Sequence, residues 1–357
     1  MTDAIQFKAQ QLPQGTILNH QYLIRSLLGQ GGFGITYLCY DQLNNLQVAI
    51  KEYFPSDYVI RKELDMLPAS DKAQDAVIRG LEYFFDEVKV LMEFNQHPNI
   101  VKITDYFFEN QTMYFVMEYL SGISLKDYLE QEGGRIGFGD TWRILKPVML
   151  ALNEVHQAKL LHRDIAPDNI YLCNDGNTKI LDFGSARLAL SSGTLGTSLT
   201  LKPGYAPIEQ YRNYGQQGPW TDVYQLGAVF YRSLTGRLPA DSLEREADDV
   251  LESPVQLGAA LSDPADRAIM KALSLSPEDR FQSFAKMIDA FEIPEASSEI
   301  NPKDALFFKE AKESTRPGDL TGREFVQPEE RSIQIRNWLV ILMLGIIVAV
   351  ILYFMID

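Results

Sequence analysis

The period of the hydrophobic pattern changes near residue 120, and that change restricts the chain more than any other feature. Before it, apolar residues come in short alternating runs: Leu23–Leu28, Thr36–Tyr40, Gln47–Lys51, Ile100–Phe107 and Met113–Glu118. Such runs, rich in β-branched and aromatic residues, read as strands. One stretch interrupts them. In Leu81–Glu93 the residues Leu81, Phe84, Phe85, Val88 and Leu91 recur at helical spacing and predict a helix. After the change the spacing is helical, most clearly in Trp142–Gln157 and Asp222–Leu234, with Ala285–Phe291 as the last helix. A small strand lobe followed by a larger helical lobe predicts an α+β fold in two lobes, residues 16–120 and 121–292, behind an extension at 1–15.

Beyond that the composition shifts. Residues 293–335 are rich in Pro, Glu, Lys and Ser with little periodicity, and predict a juxtamembrane linker, disordered in part. Trp338–Ile356 then runs for nineteen residues without a charge. A helix rising about 1.5 Å per residue just crosses a hydrocarbon core of about 30 Å at that length. Buried core helices are usually shorter and amphipathic, whereas this run is apolar on every side. Arg331 and Arg336 precede it and only Asp357 follows. The positive-inside bias therefore predicts a single-pass membrane helix at 338–356, the two lobes cytoplasmic and the C-terminus on the far side. The opening MTDAIQFKAQQLPQG has no apolar core and is no secretory signal. A net charge of -15 with no strongly basic stretch argues against a nucleic-acid partner. Cys39 and Cys173 stand in no metal-ligand spacing and read as reduced thiols.

Three motifs carry chemistry. Gly29-Gln30-Gly31-Gly32-Phe33-Gly34 lies between two predicted strands. Glycines adopt positive φ and let a backbone approach phosphate oxygens closely. The same string marks dinucleotide folds, but those place a helix after the glycines. Here Ile35–Tyr40 reads as a strand, which favours a phosphate-covering hairpin and leaves a plain glycine turn open. The second motif is Val48-Ala49-Ile50-Lys51. Taken alone, Lys51 would be a surface lysine. Phosphoryl transfer, however, needs a cation near the α- and β-phosphates, fixed by a carboxylate. The predicted helix offers Glu82, Glu87 and Glu93, and Glu87 shares a face with Leu91. The third motif is His162-Arg163-Asp164-Ile165-Ala166-Pro167-Asp168-Asn169, followed by Asp182-Phe183-Gly184.

On these residues the chain resembles the eukaryotic-type (Hanks-type) Ser/Thr protein kinases, and the wording GGFGITYL, KEYFP and KPGYAPIEQY is similar to that of bacterial members. The resemblance covers residues 16–292 and rests on five motifs in order, the last an APE-like Ala206-Pro207-Ile208-Glu209. It implies a two-lobed protein-kinase fold. It also implies an enzyme that moves the γ-phosphate of ATP, with Mg²⁺ or Mn²⁺, to Ser/Thr hydroxyls of protein substrates. A transient homodimer would let it phosphorylate itself, and the membrane helix would place its signalling at the cytoplasmic face.

Carried over residue by residue, the resemblance makes Asp164 the group that accepts or orients the hydroxyl proton. Asn169 and Asp182 would hold the metal, and Lys51 would contact phosphates and pair with Glu87. Gly29, Gly31, Gly32, Phe33, Gly34 and Thr36 would cover the nucleotide. Ala49 would pack on adenine, Met117 would guard its pocket, and Glu118-Tyr119-Leu120 would be the hinge. His162, Phe183, Leu91 and Ile103 would form a packing stack. Glu209 would pair with Arg280, and Asp222 would brace the catalytic loop. Arg163 would meet a phosphate on Thr194, Thr197, Ser198 or Thr200 of the activation segment.

Two positions depart from the family. Its lysine two residues after the catalytic aspartate is Ala166 here, and its threonine seven residues before the glutamate is Lys202. The expectation is that Lys202 supplies the missing ammonium from the opposite loop. The alternative is a nucleotide-binding pseudokinase scaffold with little turnover. The spacing from Lys51 to Glu87 is also long, leaving an insertion around Tyr53–Arg79 to which the sequence assigns no function.

Overall fold

A computed structural model of the chain describes residues 10–182, 201–212 and 215–291. The chain divides into two units, Met1–Ala311 and Lys312–Asp357, and every described residue belongs to the first.

The strand-rich part contains β1 (Ile17–Leu18), β2 (Tyr22–Gln30), β3 (Gly34–Asp41), β4 (Leu46–Tyr53), the hairpin β5 (Val59–Lys62) and β6 (Asp65–Pro68), helix α1 (Asp71–Glu93), β7 (Ile103–Glu109) and β8 (Thr112–Glu118). Six of the strands form one antiparallel sheet in the order β1-β2-β3-β4-β8-β7, and β5-β6 stands apart as a pair. Residues of β3 are buried in strict alternation, the period-two pattern of a half-covered strand. Interior strand β8 is buried at six consecutive residues. Helix α1 lays Ala73, Ala76, Val77, Gly80, Phe84, Glu87, Val88 and Leu91 inward as one stripe. The stripe is apolar except for Glu87.

The helical part follows with β9 (Gly122–Ser124), α2 (Leu125–Gln131), α3 (Phe138–Gln157), β10 (Ile170–Cys173), β11 (Thr178–Ile180), α4 (Ile208–Tyr211), α5 (Pro219–Thr235), α6 (Ser242–Ala247), α7 (Asp263–Ala272) and α8 (Phe284–Ala290). Strands β11-β10-β9 make a small antiparallel sheet beneath the cleft. Helix α5 is the centre of this lobe, buried from Thr221 to Tyr231 without a break. It starts on Pro219 and stops at Gly236, whose φ of 74° ends the helix in the left-handed region. The lobes are stitched where the chain crosses after α1. Ile180 N–H donates to Asn99 O at 2.8 Å, Val101 N–H to Ile180 O at 3.2 Å, and Asn99 Nδ2 to Thr178 O at 2.8 Å.

Several sequence expectations are corrected here. The helix expected from Leu81 begins ten residues earlier at Asp71, so the last third of the insertion is helix and much of the rest is the β5–β6 hairpin. The strand expected from Ile100 begins at Ile103, and Ile100 instead bridges to Ile180. Within the extension, Leu12 is 4 % exposed and its N–H donates to Tyr37 Oη at 3.0 Å. Among the described residues no helix is long and apolar enough to cross a membrane. The run 338–356 lies outside them, as do Phe183, Thr194, Thr197, Ser198 and Thr200.

Candidate active site

Strand β4 ends in the cleft and delivers Lys51 there. Its Nζ lies 2.7 Å from Asp182 Oδ1 and 3.5 Å from Glu87 Oε1. Asp182 directly follows the β11 region and has a positive φ of 47°. The three groups share one cation between two carboxylates. Burial alone would raise the Asp182 carboxyl, but the Lys51 ammonium overrides it and holds the group below the usual carboxylate range. Burial opposes the charge on Lys51 as well, and Asp182 with Glu87 more than restores it. Glu87 moves the other way: burial pushes it up to about 7, against the pull of Lys51. The two partners thus shift in senses that disagree about a full Lys51–Glu87 ion pair. The distances resolve this, because Asp182 takes the closer contact and leaves Glu87 undercompensated.

The catalytic-loop motif is pinned from below by α5. Asp222 Oδ2 accepts from His162 N–H at 2.8 Å and Oδ1 from Arg163 N–H at 2.7 Å. Burial would raise Asp222, but His156 at 2.7 Å and the loop amides hold it low and ionised. Arg163 carries a positive φ of 67°, an uncommon state for a non-glycine residue. Its carbonyl accepts from Gln225 Nε2 and from Gln210 Nε2, each at 2.9 Å, so both of its peptide groups are fixed. Among the described residues Arg163 Nε has no hydrogen-bond partner. Gln225 Oε1 also accepts from Ile165 N–H at 3.0 Å. Glu209 and Arg280 pair at 2.7 Å with side chains 4 % and 0 % exposed, and Thr221 donates to the same carboxylate.

His162 is fully buried, and burial lowers its pKa, so the ring is neutral. Its Nε2 lies 2.9 Å from Leu181 O, a pure acceptor, so Nε2 carries the proton. Nδ1 is then the acceptor for Asp164 N–H at 3.2 Å. Both nitrogens are committed to positioning backbone. Leu91 and Ile103 are buried in the hydrophobic core.

Asn169 Nδ2 donates to Asp164 O at 2.7 Å and to Asp164 Oδ2 at 2.9 Å. Both partners are acceptors, so the amide nitrogen must face Asp164 and the amide oxygen faces away. Asn169 Oδ1 and the Asp182 carboxylate are hard oxygen donors, and two such groups suit Mg²⁺, which keeps phosphate and water ligands as well. The donor set therefore fits a magnesium–nucleotide pair. Among the described residues no group of three His, Cys, Asp or Glu side chains could cage a metal alone.

Lys202 reaches the same loop from the opposite side. Its Nζ is 3.4 Å from Asp164 Oδ2 and contacts both Asp168 oxygens at 2.8 and 3.0 Å. Ala166 is 1 % exposed, two residues from Asp164.

The glycine loop joins β2 to β3. Gly29 pairs with Thr36 and Gln30 with Ile35, while Gly31 N–H donates to Gly34 O at 2.9 Å. A Cβ on Gly34 would meet Glu52 O at 2.7 Å, so only glycine fits there. Thr36 faces Lys51 across β3–β4, and Ala49 faces Met117 across β4–β8. Ala49 and Met117 are buried beside the cleft. In the hinge, Glu118 pairs with Lys179 of β11 at 2.7 Å, and Leu120 O lies 3.4 Å from Tyr171 Oη.

Sequence reasoning missed Asp168, Gln210, Gln225 and His156. Gln225 stands three residues after Asp222 on the same helix face, a signal that could have found it.

A sequence profile of the protein kinase domain matches residues 22–290. The chain is 30% identical over 282 residues to the serine/threonine-protein kinase PrkC of Bacillus subtilis (strain 168), covering 76% of this chain and 40% of that protein. It thus spans about two fifths of the length of that relative. A solved structure described as the apo form of PpkA-294 is 36% identical, with a TM-score of 0.73, covering 79% of this chain and 100% of its own.

Proposed function

The chain belongs to the protein kinase family, and from that premise we propose that it transfers the γ-phosphate of Mg·ATP to serine and threonine hydroxyls of proteins. Itself would be among the substrates, by way of a transient homodimer, and the work would be done at the cytoplasmic face of a membrane. The observation that carries the reading is the convergence of Lys51, Glu87, Asp164, Asn169, Asp182 and Lys202 on one cleft from five separate segments.

Bound Mg·ATP would supply the transferable phosphoryl group and the cation that neutralises it. The chain's own residues do the rest. Asp182 and the Asn169 amide oxygen would hold the metal. Lys51 would hold the α- and β-phosphates, with Glu87 fixing its ammonium. Ala49, Met117 and the hinge from Glu118 to Leu120 would take the adenine. Asp164 would orient the attacking hydroxyl and accept its proton at a carboxylate oxygen. Lys202 would stand where positive charge meets the transferring group, making good the lysine absent at Ala166. That placement is what weighs against a scaffold without turnover.

The membrane location rests on the uncharged run Trp338–Ile356 behind Arg331 and Arg336. One experiment tests both parts. Membranes from cells expressing the full chain are washed at alkaline pH and given labelled ATP, with Asp182→Ala as control. The expected result is label in polypeptides of the pelleted fraction only, absent in the variant. Protein released by the wash contradicts the anchor, and no variant-sensitive label in any fraction contradicts the transferase reading.

A further inference from the structure

The glycine loop is held from outside by two segments that the family comparison leaves without a role. After β4 the chain continues beside the loop rather than leaving it. Phe54 N–H donates to Phe33 O and Ser56 N–H to Gly32 O, each at 3.1 Å. In a trans peptide the N–H points opposite to the C=O. Engaging these two carbonyls therefore turns the N–H groups of Phe33 and Gly34 away from the Phe54–Ser56 segment and into the turn. Two adjacent amides so directed make an anion-receiving concavity.

The second hold comes from the N-terminal side. Gln11 Nε2 donates to Gln30 Oε1 at 2.8 Å, and Gln30 Nε2 donates to Gln10 Oε1 at 3.1 Å. Gln30 is the residue between the first two glycines of the loop. Both holds meet at Arg61 of the β5–β6 hairpin. Its Nε donates to Gln10 O at 2.8 Å, and its Nη1 and Nη2 donate to the two oxygens of Glu52 at 2.8 and 2.7 Å. Its guanidinium lies 4.5 Å over the ring of Phe54, which is fully buried. Glu52, also fully buried, accepts from Tyr37 and Tyr114 hydroxyls at 2.9 Å and follows Lys51 directly in β4. The Arg61–Glu52 pair is buried and bonded on both sides, which ties the two holds to one another.

We propose that Ser56 and Gln11 are positioning residues for the phosphate loop: the Ser56 amide and the Gln11 side chain, knotted together through Arg61, preset the loop to receive the nucleotide's phosphates. The proposal rests on the kinase reading and gives the insertion around Tyr53–Arg79 a role in it. Loss of a hold should weaken binding of the triphosphate and spare the nucleoside, which has no phosphates for the loop amides to receive. A merely structural residue would weaken both alike.

The test uses the full chain and two probes, Mg·ATP and adenosine, titrated separately. Ser56→Pro deletes the donating N–H, and Ser56→Ala restores it. Gln11→Ala cuts the other hold at a half-buried site and serves if the proline variant does not fold. One lost hydrogen bond should cost Mg·ATP about threefold to tenfold in affinity and raise its KM to match, with adenosine affinity and kcat held. Alanine at position 56 should recover the loss. Equal weakening of both probes, or unchanged Mg·ATP affinity in Ser56→Pro or Gln11→Ala, overturns the proposal. A wild-type chain that binds neither probe overturns the kinase reading itself, and this proposal with it.

Discussion

Lys202 and Ala166 exchange what is elsewhere a lysine and a threonine, and the exchange leaves the ammonium beside the same carboxylate. At 3.4 Å from Asp164 and in contact with both Asp168 oxygens, Lys202 is the proposed phosphoryl clamp, with its side chain 23% exposed. Removing one such clamp typically lowers the rate by about 10²–10³. Lys202→Met should therefore lower kcat by roughly that factor at saturating ATP, with the fold intact by thermal melting. A kcat equal to that of the wild type returns Lys202 to an ordinary loop lysine. Lys202 was legible because its position is fixed by counting back from Glu209. Its partner Asp168 was not, because an acid in a loop before Asn169 looks like any solvated acid until the fold brings a cation to it. Glu87 was legible among three glutamates because it shares a helix face with Leu91, and it lies 3.5 Å from Lys51. The stripe of α1 shows that this one faces inward.

Helix α1 carries Glu87 to the site, and its seating depends on a notch. Gly80 faces Tyr53 of β4, whose hydroxyl donates to Val77 O at 3.3 Å. A Cβ at Gly80 would lie 1.9 Å from that hydroxyl. Glycine in a helix interior usually costs about 1 kcal/mol against alanine, so Gly80→Ala would ordinarily stabilise. Here overpacking should win and destabilise by about 1–3 kcal/mol in denaturant unfolding, loosening the Lys51–Glu87 approach. Adding Tyr53→Phe should recover part of that loss, and a Gly80→Ala variant as stable as wild type contradicts this account of the seat. The first half of α1 escaped the sequence reading for the same reason. Asp71–Gly80 buries small residues, Ala73, Ala76 and Gly80, which leave a weak periodic signal. The hairpin β5–β6 escaped because its strands are four residues each and one ends on Pro68.

Across the whole molecule the two-lobed plan was readable from the change of hydrophobic period. What the sequence could not show is how the lobes register. That depends on Asn99 and Val101 meeting β11 and on Lys179 meeting Ile100 and the hinge, contacts between residues 61 to 81 positions apart with no local pattern. Registration is what brings Lys51 to within 2.7 Å of Asp182, across 131 positions of chain. The central claim is that these groups form one magnesium–nucleotide site. Calorimetric titration of the full chain in detergent with ATP, in excess magnesium and then in chelator, measures it directly. The account predicts one molecule of ATP bound per chain in magnesium, with affinity falling about tenfold or more in chelator and in Asp182→Asn, as loss of a charged ligand requires. ATP bound equally well without magnesium and without the Asp182 carboxylate would contradict it.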